Sequence, residues 1–149
     1  MEVLAPAGGM ESVKAAVLNG ADAVYLGQKG FSARQNAENF DSVALKQAVS
    51  FCHLYGAKVY QTVNTVIFEE ELPALSETLR TACEAGVDAL IVQDFGVLSL
   101  ARELCPAMPV HASTQMTVHT PKGAQLMKDL GVSRVVLARE MTLKEIREV

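Results

Sequence analysis

Ala21-Asp22-Ala23-Val24-Tyr25-Leu26, entered from Gly20 and left through Gly27, decides the fold of this chain. A short apolar run follows a glycine that closes an amphipathic segment. The same arrangement returns at Gly56 before Ala57 to Tyr60, at Gly86 before Val87 to Val92, and at Gly131 before Val132 to Leu137. A glycine just past a helix takes the left-handed cap conformation without steric cost, and the chain then enters a strand. Recurrence at four places points to an internal βα repeat.

Outward from these runs, the helices declare themselves by spacing. Met10, Val13, Val17 and Gly20 share one face, and Leu45, Ala48, Val49 and Cys52 share another. Leu72, Leu75, Leu79, Ala82 and Cys83 form a third stripe, with Leu98, Ala101, Leu104 and Cys105 a fourth. Each follows the 3.6-residue period of an amphipathic helix. Thr120-Pro121 supplies an N-cap and a first-turn proline, and Thr142 to Glu145 has the spacing of a capping box. Strands at Glu2 to Ala5 and Val110 to Ser113 bring the number to six, with a helix between each pair and a sixth helix begun.

Strict alternation of this kind predicts a parallel sheet with right-handed crossovers. Doubly wound sheets and barrels both meet that description. Polar groups recur at several strand ends instead of gathering at one switch point, which favours the barrel. The expected class is α/β: a parallel (β/α) TIM-type barrel truncated after about six βα units. Residues 1–149 then read as the N-terminal part of a longer protein, because the last helix stops at Val149 within about two turns. The unclosed edge of such a sheet is a route to self-association.

Composition agrees. Half of the 149 residues are apolar and only 5% aromatic, which suits short buried strands under helices. No apolar run reaches the length of a membrane span, and the start lacks the basic and apolar regions of a secretory signal, so a soluble cytoplasmic protein without membrane contact is expected. The net charge of −4 is no electrostatic footprint for nucleic acid, at least for this segment alone. Cys52, Cys83 and Cys105 are odd in number and far apart in sequence. They read as small buried apolar residues, with neither a disulfide framework nor a metal-type Cys-x-x-Cys pair, and no metal ligand set is assigned.

Function in such barrels gathers in the loops that leave the C-terminal ends of the strands. The first of these, Pro6 to Gly9, is either an ordinary tight turn or an anion cradle in which the amides of Gly8 and Gly9 meet a phosphate or carboxylate. The loop from Gly27 to Phe40 is the longest; it mixes Lys29, Arg34 and Glu38 with Phe31 and Phe40, and reads as a binding loop or a solvated connection anchored by the two phenylalanines. Alternation along the third strand sets Tyr60, Thr62 and Asn64 on one face and Val59, Gln61 and Val63 on the other. Asn64 then stands at the mouth, able to donate and accept hydrogen bonds.

The fourth strand ends at Gln93-Asp94, where Asp94 either faces a substrate or caps the next helix. The fifth is densest: His111, Ser113 and Gln115 project to one side if the strand stays extended. His111 is the side chain best suited to proton transfer near neutral pH. The sixth ends with Arg139 and Glu140, an exposed ion pair or a clamp for an anion. His111, Ser113, Asn64 and Arg139 are the catalytic candidates. Gly8, Gly9, Arg34, Gln93, Asp94, Gln115 and Glu140 are the substrate-binding ones, while His53 and His119 read as structural.

Leu4-Ala-Pro-Ala-Gly8, Gly20 to Gly27, Phe31-Ser-Ala-Arg34, Val63-Asn-Thr65, Asp88 to Asp94, His111-Ala-Ser-Thr-Gln-Met116 and Val136-Leu-Ala-Arg-Glu140 together resemble the N-terminal part of the collagenase-like peptidases, family thirty-two of the U class. The resemblance covers essentially the whole chain, in order. It implies a (β/α) barrel and a peptidase of unassigned catalytic type. It also implies, as the alternative, an oxygen-independent hydroxylase acting on tRNA, ribosomal RNA or a ubiquinone precursor. In those members cysteines hold an iron–sulfur cluster, and the family pattern puts them beyond Val149. Cys52, Cys83 and Cys105 do not match, so no cofactor is expected within these residues. The substrate, peptide or RNA, stays open. An inactive scaffold is the third reading, and under either enzyme reading the isolated chain is expected to be inactive.

Overall fold

The computed structural model describes residues 1–33 and 37–149. Six strands alternate with six helices: β1 (Leu4–Pro6), α1 (Met10–Leu18), β2 (Ala23–Gly27), α2 (Ser42–Leu54), β3 (Lys58–Val63), α3 (Leu72–Ala85), β4 (Ala89–Val92), α4 (Phe95–Leu104), β5 (Val110–Ala112), α5 (Pro121–Asp129), β6 (Arg134–Val135) and α6 (Leu143–Glu148). Short 3-10 turns lie at Glu69–Glu71 and Thr114–Met116. The strands form one sheet in sequence order, and every neighbouring pair is parallel.

The repeat read from the sequence has a geometric counterpart. Gly20, Gly56, Gly86 and Gly131 all have positive φ, between 74° and 91°. At Gly86 the conformation is a left-handed cap on α3, and any side chain there would be strained. Helix starts are fixed just as locally. Asp41, Asp94, Thr120 and Thr142 each accept from backbone amides two or three residues on, and Thr142 with Glu145 completes the capping box.

Strand alternation sorts the sheet into two faces with separate packing. Val24, Leu26, Val59, Val63, Leu90, Val92, Val110 and Ala112 lie under the helices, against Val13, Leu45, Val49, Leu75, Leu79, Val97 and Leu98. On the other face Ala23, Tyr60, Ala89 and Ile91 form a second, smaller cluster with Leu4 and Tyr25. That face is concave. The Arg134 guanidinium on β6 reaches the Glu2 carboxylate just before β1, and Leu4 and Val136 line the same cavity. Contacts between the two ends of a six-stranded sheet require it to curl, and the result is a half-barrel with helices outside.

Two expectations need correction. The fifth strand does not stay extended to Gln115: it ends at Ala112, and Ser113 caps a 3-10 turn by accepting from the Gln115 amide at 3.3 Å. The cysteines are not all unpaired. The structure bonds Cys83 to Cys105 as a disulfide, with a Cα–Cα distance of 6.7 Å. Cys83 lies near the end of α3 and Cys105 caps the neighbouring α4, so packing unites residues that sequence keeps 22 apart. Cys52 is free and buried, and burial, helped by the Asp88 charge, pushes its thiol up to about 11.

Candidate functional site

At the C-terminal ends of the strands the concave face opens into a cavity of about 360 Å³. Leu4, Ile91 and Val136 give it apolar walls, joined by Tyr25. Thr62, Asn64, Ser113, Gln115 and Arg139 give it a polar rim. Asn64 is the hub. Its backbone amide donates to the Phe31 carbonyl, its Oδ1 accepts from the Ala33 amide at 3.1 Å, and its Nδ2 donates to Gln115 Oε1 at 2.8 Å. One side chain thus joins β3, the long connection after β2 and the turn after β5.

The consequence is a fixed polarity. Gln115 Oε1 also receives the Ser113 hydroxyl at 3.4 Å, so its carbonyl end is engaged and its NH2 group stays available. Arg139 is exposed and, among the described residues, has neither an ion pair nor a hydrogen bond. Glu140 does not neutralise it; both line an adjoining depression of about 300 Å³ with Thr114, Gln115 and Thr117. The Thr62 hydroxyl is consumed within the fold, donating to the Leu26 carbonyl and bonded to Ser32. Among the described residues, what remains for a ligand is a guanidinium and an amide NH2 above an apolar floor. Such a site suits an acceptor-rich or anionic group attached to an apolar or planar body.

Five expected site residues, His111, Asp94, Gln93, Gly8 and Gly9, do not line the cavity. His111 does not reach the cavity. It projects into the interior one layer nearer the N-terminal ends of the strands, 6% exposed, edge-on to the Tyr60 ring at 4.8 Å. Burial, reinforced by the positive charge of Arg134, holds it down to about 4, so it is neutral at pH 7. Around it the groups satisfy one another. Tyr60 donates to Glu2 at 3.0 Å, Glu2 is bonded to Arg134, and the Arg134 guanidinium stands 5.4 Å from the Tyr60 ring centroid. The Arg134 hydrogen bond holds the Glu2 carboxyl below its usual range, and desolvation raises the Tyr60 phenol.

Asp94 is a helix cap, its Oδ1 accepting from the Gly96 and Val97 amides at 2.6 and 3.1 Å. Gln93 follows β4 and does not line the cavity. The Gly8–Gly9 turn is filled from within. A Cβ on Gly9 would come within 2.5 Å of the Glu38 carboxylate, so that side chain stands where a capping residue's own would be. Arg34 falls outside the described residues. His53 and His119 are held by Asp88 and by the Thr117 carbonyl, both at 2.9 Å.

Sequence reasoning missed Glu2, Arg134, Tyr25 and Val136. Arg134 carried a signal: a charge two residues from Val132 and Val136 in an apolar run needs a partner. No group of three metal-ligating side chains exists among the described residues. Cys52 is buried and the other two cysteines are bonded to each other, so these donors do not fit an iron–sulfur cluster. No helix among the described residues is long and apolar enough to cross a membrane.

Fold and mouth together define an α/β half-barrel with a polar ligand cavity at the strand ends. The chain belongs to peptidase family U32, whose model matches residues 8–149. It is 42% identical over 149 residues to the 23S rRNA 5-hydroxycytidine C2501 synthase of Escherichia coli, covering all of this chain and 22% of that protein. It is 40% identical to tRNA hydroxylation protein P1 of Bacillus subtilis, covering 99% of this chain and 35% of that one. A collagenase of Porphyromonas gingivalis is 34% identical over 99% of this chain and 35% of its own length. The chain therefore spans about a fifth to a third of these relatives. The solved structure of the U32 peptidase Mk0906 superposes with a TM-score of 0.70 at 15% identity, over 92% of this chain and 58% of that one.

Proposed function

We propose that these residues form the substrate-binding part of an enzyme that hydroxylates RNA, and that the half-barrel is the first six units of a TIM-type barrel completed by the rest of a longer protein. One observation carries this reading. The cavity presents hydrogen-bond donors and a cation but, among the described residues, no His, Asp or Glu. Binding groups without an acid–base pair suit recognition of a nucleotide better than hydrolysis of a peptide bond. Arg139 would take a phosphate, and the Gln115 amide, oriented by Asn64, the edge of an unstacked base resting on the apolar floor. Identity of 42% and 40% to the two RNA-hydroxylation relatives supports the same reading, while a relative named an uncharacterized protease, at 40%, supports the alternative. In this account any iron–sulfur cluster belongs to the remainder of the full-length protein, which works in the cytoplasm where its RNA is.

The second reading is a peptidase, favoured by the family membership, by the collagenase relative and by the Ser113 and Thr114 hydroxyls at the cavity. Nucleoside mass spectrometry of total RNA from cells with and without the gene separates the two. Loss of a hydroxylated nucleoside on deletion, restored by the full-length gene, is expected. Unchanged RNA, together with peptide cleavage by the purified full-length protein that Ser113→Ala abolishes, would establish the peptidase instead.

A further inference from the structure

The connection from β3 to α3 leaves Asn64 at the mouth cavity and then carries Ile67 and Phe68 to a different surface. There a groove of about 330 Å³ separates this connection from α4. Ile67, Leu72, Val97 and Leu100 supply its apolar lining. Phe68, also on the groove, is 65% exposed, and the adjacent Val66 and Phe95 are 60% and 57% exposed. Scattered exposed apolar side chains are ordinary; an exposed phenylalanine on a groove whose lining also holds Ile67, Leu72, Val97 and Leu100 is a surface that calls for a partner.

The rim is acidic. Glu69 and Glu103 line the groove and are exposed, Glu70 follows directly, and no Lys or Arg is among the lining residues. Asp94 is already committed to capping α4, so the charge offered outward comes from Glu69, Glu70 and Glu103. This combination selects among macromolecules. A nucleic-acid backbone and an anionic membrane surface are both repelled by such a rim. A protein segment with an apolar face flanked by Lys or Arg is complementary to it in both shape and charge.

We propose that this groove docks a basic amphipathic segment of a partner protein, whose apolar side chains cover Phe68 and Leu100 while its cations face Glu69 and Glu103. The proposal is independent of the reaction at the mouth. Its test uses the full-length protein and a fluorescent amphipathic Leu/Lys helical peptide, with a scrambled peptide and a Leu/Glu counterpart as controls. Selective binding of the amphipathic basic peptide is expected. It should weaken about tenfold in Phe68→Ala and about tenfold in Glu69→Gln/Glu103→Gln, and should weaken with salt. All of these changes lie at exposed positions, and unchanged unfolding midpoints verify that the variants fold. Equal binding of either control peptide, or binding unaffected by both variants, overturns the proposal. So does no binding at all, which would mean that the rest of the chain covers the groove. Direct binding of a labelled single-stranded RNA oligonucleotide to the full-length protein, weakened by Phe68→Ala, would also overturn it, assigning the surface to RNA.

Discussion

The two ends of the concave face are built from similar residue types and put to opposite uses. At the N-terminal ends of the strands, Glu2, Tyr60 and Arg134 consume one another's hydrogen-bonding capacity, and His111 is packed neutral against Tyr60. At the C-terminal ends, Asn64 engages only the carbonyl end of Gln115, and Arg139 has no partner among the described residues. A polar group whose valences are filled by the fold stabilises it. A polar group held in place with valences to spare is available to a ligand. Position along the strand, more than residue type, separates structure from function here.

The sharpest way to break this contrast is to remove the unpaired groups. In the full-length protein, Arg139→Ala and Asn64→Ala should each lower kcat/KM by about 100-fold, as expected for losing a charge-assisted contact or the group that orients it. The exposed Arg139→Ala should leave stability within about 0.5 kcal/mol. Thermal unfolding beside turnover checks both statements. A loss of activity matched by a loss of stability would erase the distinction between the two ends.

The next effect belongs to the opposite end. His111 has a folded pKa of about 4, below its unfolded value near 6.5, so protonation favours the unfolded chain. Its contribution is fully present above about pH 6.5 and is lost as pH falls toward 4, by an amount on the order of 3 kcal/mol. The Glu2 carboxyl, also lowered, contributes above its unfolded value and is lost only at more acid pH. Denaturant titrations from pH 7 to 4 should show the decline in the wild type and a flatter profile in His111→Phe. Equal slopes would place the imidazole in water.

Two smaller effects sharpen the comparison. Asp94→Ala removes two bonds to the start of α4 and should cost about 1 kcal/mol with little effect on binding at the mouth. An affinity loss instead would return Asp94 to the site. Gly9→Ala meets only the movable end of the Glu38 side chain, at an extended φ of −167°, and should change stability by less than about 0.5 kcal/mol. Urea midpoints of the two variants give that ranking.

The repeat of glycine, strand and amphipathic helix was legible because it rests on local rules: caps, periodicity and alternation. Thr120 and Thr142 cap as their neighbours dictate, and Asn64 faces the mouth because it stands in phase with Tyr60 and Thr62. What escaped the sequence depends on curvature and on packing between distant elements. Nothing local says that Glu2 meets Arg134, that Cys83 meets Cys105, or that the fifth strand stops at Ala112 and leaves His111 a layer below Ser113. Alternation gave the right face for His111 without giving its depth.

The contrast between the two ends is tested most directly in cells lacking the gene and supplied with full-length variants, by quantifying the hydroxylated nucleoside in their RNA. The expected result is that Arg139→Ala strongly lowers it while a folded His111→Phe variant retains it. Retention in Arg139→Ala with loss in a stably folded His111→Phe would contradict the account, moving the chemistry to the end of the sheet assigned here to structure.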